Sequence, residues 1–172
     1  MRVLGIDPGL EKVGFGLIEI GKTPIALDWG VIKTSKDQSE IERIAGIYRA
    51  MTSLIQQNKP DIAAIERLFF FRNVTTMVPV SQARGVILLA LYEAGVSYVE
   101  QTPLEVKMNL TGYGKASKRD VQDMVQQLLG LDDIPRPDDA ADGLAIALSA
   151  STTILYNSPN LAKSRFKATV TA

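Results

Sequence analysis

The chain has no cysteine and no histidine. Without cysteine there is no disulfide, no thiolate zinc site and no cysteine nucleophile. Without histidine a Ser-His-Asp triad and an imidazole general base are both excluded. Hydrolytic chemistry would fall to carboxylates, lysine, tyrosine or a metal-bound water. No apolar stretch free of charge is long enough to span a bilayer. The N-terminus is too acidic and too strand-like for a signal peptide, so a cytoplasmic protein with no membrane partner is expected. An excess of charge is missing too. The 19 basic and 19 acidic residues give a net charge of +0, which by itself does not announce a nucleic-acid binder.

The 172 residues suffice for one domain with a full core, and 46% hydrophobic with 22% charged residues is ordinary for a globular protein. Charge is unevenly spread. After Asp142 there is no acid, while Lys163, Arg165 and Lys167 follow, and Lys115, Lys118 and Arg119 form a second basic cluster. A neutral total can conceal a basic groove when the site within it is acidic.

Patterning gives the order of elements. Arg2–Asp7 reads as a strand ending at the Pro8-Gly9 turn. Val13–Ile20 and Ile25–Lys33 follow as strands joined through Gly21-Lys22-Thr23-Pro24, an antiparallel meander. Ser39-x-x-Glu42 is a capping box opening a helix to about Gln57, with apolar residues at Ile41, Ile44, Tyr48, Met51 and Ile55. Asp61–Glu66 is a strand reached by a crossover and therefore parallel to its neighbour. A second helix is expected from near Met77 to Ala94, with Pro79 in its first turn and Gly95 at its C-terminus. Ser97–Gln101 is a short strand and Pro103–Leu110 a short helix. Ser117-x-x-Asp120 caps a helix to about Leu129, and a final helix is expected from about Asp138 to Leu155. A mixed sheet flanked by helices fits this order. Residues 1–156 read as one domain, and the polar, basic 157–172 as a mobile tail.

The acids stand out against this frame. MRVLGID and DIAAIE are apolar strands that end in Asp7 and Glu66. Asp138-Asp139-Ala140-Ala141-Asp142 opens the last helix, where Asp139 and Asp142 are i, i+3 and Asp138 and Asp142 are i, i+4, so either pair can share a face. Following Pro137, Asp138 suits the N-cap, which leaves Asp139 and Asp142 as candidate ligands. Each acid alone has a plain explanation: a tight Asp-Pro-Gly turn, a solvated strand end, or a charge matched to the helix dipole. Taken together they would converge if the first and fourth strands are adjacent. Such a cluster is costly unless a cation neutralises it, and a divalent metal is the usual answer.

GIDPG with Asp7, IER-x-F with Glu66 and Phe69, SQARGV at 81–86 and DAADGLAIA at 139–147 together closely resemble the RuvC family of bacterial Holliday junction resolvases. The likeness runs on through Val106-Lys107 and Gly112-Tyr113-Gly114 to Lys118, so it covers nearly the whole chain. It implies a ribonuclease H-like α/β fold with a mixed five-stranded sheet flanked by helices. It implies a magnesium-dependent endonuclease, with manganese as a substitute and two ions per subunit during catalysis. The implied enzyme is a homodimer that nicks opposed strands of a four-way DNA junction in symmetry, alongside the branch-migration complex RuvA and RuvB, in recombination and repair.

Carried onto this chain, the resemblance makes Asp7, Glu66, Asp139 and Asp142 the catalytic, metal-holding carboxylates. Lys107 and Lys118 become DNA contacts near the scissile phosphate, and Phe69 a ring that stacks on a junction base. The run Phe69-Phe70-Phe71 leaves three rings as candidates for that contact. Arg72, Lys115 and Arg119 are general phosphate-contact candidates. An ATP-binding protein of the actin or sugar-kinase type also starts with a strand and a Gly-Ile-Asp-x-Gly turn. This chain is short for that two-domain clamp and has no second Asp-x-Gly-x-x-Thr loop after Glu66. A non-catalytic junction-binding module would not need the complete set of acids. An RNA/DNA-hybrid nuclease of the same fold is less well matched by DAAD and SQARGV.

Overall fold

A computed structural model describes residues 1–68 and 74–161. Strands β1 (Arg2–Asp7), β2 (Lys12–Glu19) and β3 (Ile25–Lys33) precede helix α1 (Glu40–Asn58). Strand β4 (Ile62–Glu66), helix α2 (Val74–Glu93) and strand β5 (Ser97–Gln101) follow, then helices α3 (Pro103–Thr111), α4 (Lys118–Leu129) and α5 (Asp138–Leu161). The sheet has five strands in the order β3-β2-β1-β4-β5. The meander pairs antiparallel, while β1–β4 and β4–β5 are parallel. This is the mixed five-stranded sheet flanked by helices that the sequence implied.

Local chemistry explains the element ends. Ser39 with Glu42 and Ser117 with Asp120 form the two expected capping boxes, and Thr102 with Glu105 forms a third that starts α3. Gly95, at φ 68°, closes α2. Its N–H donates to the Tyr92 carbonyl and that of Val96 to Leu91, which satisfies the last helical carbonyls.

Three local expectations give way. Helix α2 starts at Val74, so Pro79 lies in its second turn, where its missing N–H forgoes the bond to the residue 75 carbonyl. Asp138 is the first helical residue of α5 rather than its N-cap; the Ala140 and Ala141 amides donate to the Pro137 carbonyl at 2.9 and 3.3 Å. Helix α5 also runs on to Leu161, past residue 156, because extending a formed helix costs little per residue.

The core has two layers. On one face of the sheet Leu4, Ile6, Leu17 and Ile65 meet Ile47 and Met51 of α1 and Ile87 and Leu91 of α2. On the other, Val3, Ile18 and Ala64 meet Leu144, Ala147 and Leu148 of α5, with Val106 and Val125 of α3 and α4 outside it. Here α5 lies almost directly on the backbone of β1 and β2. A Cβ on Gly5 would fall on the Gly143 carbonyl and 2.5 Å from the Ala147 nitrogen; one on Gly16 would come 2.6 Å from the Leu144 Cα. Glycine is required on the strands because the helix takes the space of a side chain.

Candidate active site

The β1–β4 register pairs Ile6 with Ile65, so the next residues, Asp7 and Glu66, end neighbouring parallel strands on one rim. Helix α5 starts over the same rim. The bare backbone at Gly5 lets α5 settle close over β1 and brings Asp142 to the strand ends. The turn after Asp7 is fastened by the Thr34 hydroxyl, which donates to the Leu10 carbonyl at 2.6 Å and accepts from Arg43 Nε at 2.9 Å.

Asp7, Glu66 and Asp142 line one cleft of about 280 Å³, with Lys107 and Lys118 opposite. Pro103 and Val106 of α3, Val121 of α4, and Ala145 and Ile146 of α5 supply its apolar walls. These walls were not singled out in the sequence. Val106, Ala145 and Ile146 fall within the segments that carry the resemblance, Val106-Lys107 and DAADGLAIA, without a role being assigned to them.

The electrostatics are those of a site short of positive charge. Burial, then the Asp142 and Asp139 carboxylates, push Asp7 up to about 6 against the opposing pull of Lys118. Burial, then Asp7 and Asp142, push Glu66 up to about 7. Asp142 is raised by burial, with Lys118 acting against that rise. Lys118 donates to Asp142 Oδ2 at 2.9 Å and lies 3.9 Å from Asp138. Burial would lower the Lys118 ammonium, but Asp142 and then Asp138 and Asp139 outweigh it and the net displacement is upward. A lysine in the first turn of α4 opposes the helix dipole, and this cross-helix pair is its compensation.

The other expected residues fall in different places. Asp139 does not line the cleft; it pairs with Lys12 Nζ at 3.5 Å, a partner the sequence did not suggest. Lys115 is exposed in the loop before α4 and outside the cleft lining. Arg119 turns away to Asp123, 3.0 Å distant on its own helix. Phe69 and Arg72 lie outside the described residues.

All the acidic donors on this rim are carboxylate oxygens, the kind a hard divalent cation such as magnesium prefers. Burial first, and then repulsion between neighbouring carboxylates, raise the proton affinity of Asp7, Glu66 and Asp142, and a bound cation would oppose both. Among the described residues no three of them converge tightly enough to enclose an ion with the side chains as placed, Asp142 and Asp139 being engaged by lysines. The donors fit such a cation in chemical kind, and Asp7, Glu66 and Asp142 share one cleft.

Comparison with known proteins bears on this cleft. The sequence profile described as "Crossover junction endodeoxyribonuclease RuvC" matches residues 3–150. The protein of that name from Fusobacterium nucleatum is 49% identical over 150 residues, 87% of this chain and 79% of that one. The solved structure described as T. thermophilus RuvC in complex with Holliday junction substrate superimposes with a TM-score of 0.87 at 36% identity, covering 91% of this chain and 96% of that one. The yeast mitochondrial Holliday junction resolvase shares the fold at a TM-score of 0.65 and 14% identity, over 90% of this chain and 82% of that one. The profile spans the cleft residues Asp7, Glu66, Lys107, Lys118 and Asp142, and this chain belongs to the crossover junction endodeoxyribonuclease RuvC family.

Proposed function

We propose that this chain is an endonuclease that resolves four-way DNA junctions, cutting phosphodiesters in the cleft between the ends of β1 and β4 and the start of α5. The observation that carries this is the single cleft that sets Asp7, Glu66 and Asp142 against Lys107 and Lys118, in a chain of this family. Magnesium ions, with manganese as a substitute and two per subunit during catalysis, would be held by Asp7, Glu66 and Asp142, joined by Asp139 on its release from Lys12. When bound, they supply Lewis-acid activation of the phosphate and of the attacking water.

The rest falls to the protein. Lys118 leaves Asp142 for the incoming phosphate and neutralises charge as it builds on the phosphorus-bound oxygens. Lys107, across the cleft, holds a phosphate oxygen and fixes the strand's register. The apolar walls from Val106, Val121 and Ile146 keep bulk water from the reacting atoms, which strengthens each charge interaction. Attack in line leaves 5′-phosphate and 3′-hydroxyl ends that a ligase can join.

Paired nicks require two sites related by a twofold, hence a homodimer. Val78, Gly85, Leu89 and Tyr92 form one exposed stripe along α2 that suits a second copy. Phe69 and Arg72, and at longer range Lys115 and Arg119, complete the DNA contacts. The working partners are the branch-migration complex RuvA and RuvB, and the compartment is the cytoplasm. Among the described residues no helix is long and apolar enough to cross a membrane.

A synthetic mobile junction and a linear duplex of the same sequence test the reading. Cleavage of the junction alone, with magnesium, is expected. Asp7→Asn should lower the cutting rate by about 10³-fold or more while leaving junction binding intact. Equal cutting of duplex and junction, or undiminished nicking by Asp7→Asn, would sink it.

A further inference from the structure

Behind the cleft lies a polar joint that no step above uses, buried at Ser149 and Gln101 and open to solvent at Asn109. Ser149 is 0% exposed and Gln101 3%, both within otherwise apolar core. The Ser149 hydroxyl donates to Gln101 Oε1 at 2.6 Å and accepts from Asn109 Nδ2 at 3.0 Å. Asn109 Nδ2 also reaches the Ser149 carbonyl at 3.4 Å, and Gln101 Nε2 donates to the Glu100 carbonyl at 3.2 Å. One hydroxyl thus ties together β5, α3 and α5.

Each of those elements is rigidly coupled to a cleft residue. Gln101 is the register partner of Glu66, and its carbonyl accepts the Arg67 amide at 2.8 Å, so it clamps the end of β4. Asn109 stands two residues beyond Lys107 on α3. Ser149 lies seven residues beyond Asp142 on α5, two helical turns along the same face. The cleft wall residues Ala145 and Ile146 lie between them. A buried hydrogen-bonded joint admits one spacing, whereas apolar side chains at the same points could slide and repack.

We propose that Ser149, with Gln101 and Asn109, is a positioning joint that holds Glu66, Asp142 and Lys107 at the spacing that binding a divalent cation and cutting DNA require. The inference rests on the reading of the cleft as a cation-dependent nuclease site. It assigns Ser149 no contact with substrate; its effect passes through the three elements it joins.

The test uses the full chain in three measurements. Manganese affinity is read by calorimetry without DNA, junction affinity without divalent ions, and cleavage in single turnover at saturating junction and metal. Ser149→Ala should bind manganese about tenfold more weakly and cut about tenfold more slowly, with junction affinity unchanged. Ser149→Cys keeps the volume but not the strong hydrogen bond, and should behave like Ser149→Ala. Asn109→Ala, at the more open end of the joint and safe for folding, should move both readouts the same way by about threefold. A purely structural role would lower only the melting temperature: wild-type manganese affinity and cutting in Asn109→Ala and in the folded Ser149 variants would overturn the joint. If the unaltered chain binds manganese no better than Asp7→Asn, the reading of the cleft fails and the joint with it.

Discussion

On one face of the sheet α1 and α2 stand off on large side chains, Leu4, Ile6, Ile65, Ile87 and Leu91 filling the gap. On the other face α5 rests on glycine backbone at Gly5, Gly14 and Gly16. The first face is a generic apolar layer, whose tolerance to volume-conserving change is wide. The second is a contact of near-fixed distance, and the acids hang from it. The first face therefore supplies stability and the second also supplies geometry. The helix that carries Asp142 sits close over β1 because at Gly5 nothing larger than a hydrogen separates the two backbones.

Substitutions on the two faces should separate these contributions. The largest effect is expected from Gly5→Ala. Its Cβ meets backbone, which cannot swing aside, so α5 must lift. Stability should fall by about 3 kcal/mol or more, and junction cutting by the folded fraction by about 100-fold. Leu91→Ala, on the opposite face and fully buried, should cost a similar roughly 3 kcal/mol in urea unfolding. Its cutting rate at a temperature where it is folded should match the unaltered chain. If Leu91→Ala slows cutting as much as Gly5→Ala does, the distinction between the faces is broken.

A smaller effect should appear with pH in the absence of divalent ions. Asp7 and Glu66 are raised to about 6 and about 7, above their ordinary values of 3.8 and 4.5. Between roughly pH 4 and pH 7 the folded chain therefore holds more protons than the unfolded one, and stability must fall as pH rises through that window. The expected loss in urea unfolding between pH 5 and pH 8 is about 1–2 kcal/mol, discounted for partial exposure and coupling. Magnesium should restore it, and Asp7→Asn should flatten the dependence while making the metal-free chain more stable at pH 8. A stability that rises with pH across this window would refute the charge-deficient cleft.

The smallest effects separate the capping boxes. Ser39→Ala at the start of α1 and Ser117→Ala at the start of α4 should each cost about 1 kcal/mol. Only Ser117→Ala frays the turn that presents Lys118 to Asp142, so only it should slow cutting several-fold.

How much of this could be read from residues follows from the range of the interactions. Ser39, Ser117 and Gly95 act within a few residues of themselves, and their roles were legible. Asp7 and Glu66 were legible as strand ends, and one assumption, that their strands are neighbours, put them on a common rim. The start of α2 differs because placing Pro79 in the first turn sets it near Met77, whereas the helix begins at Val74 and carries the proline in its second turn. Asp138 was misplaced as a cap because the Pro137 carbonyl, rather than the Asp138 side chain, engages the first amides of α5. Gln101 and Ser149 gave no signal at all, being ordinary polar residues until folding buries them together.

By itself, then, the amino-acid order determined that no thiol or imidazole could act here. It also determined the order of strands and helices, the capping boxes that open α1 and α4, and the acids that end β1 and β4, since those depend on composition and on contacts a few residues apart. Only the tertiary structure decided that Asp142 faces the cleft while Asp139 turns to Lys12, and that Lys118 answers Asp142. Those outcomes depend on the separation between helix and sheet. That separation is set by glycine contacts between segments more than a hundred residues apart, which no local pattern encodes.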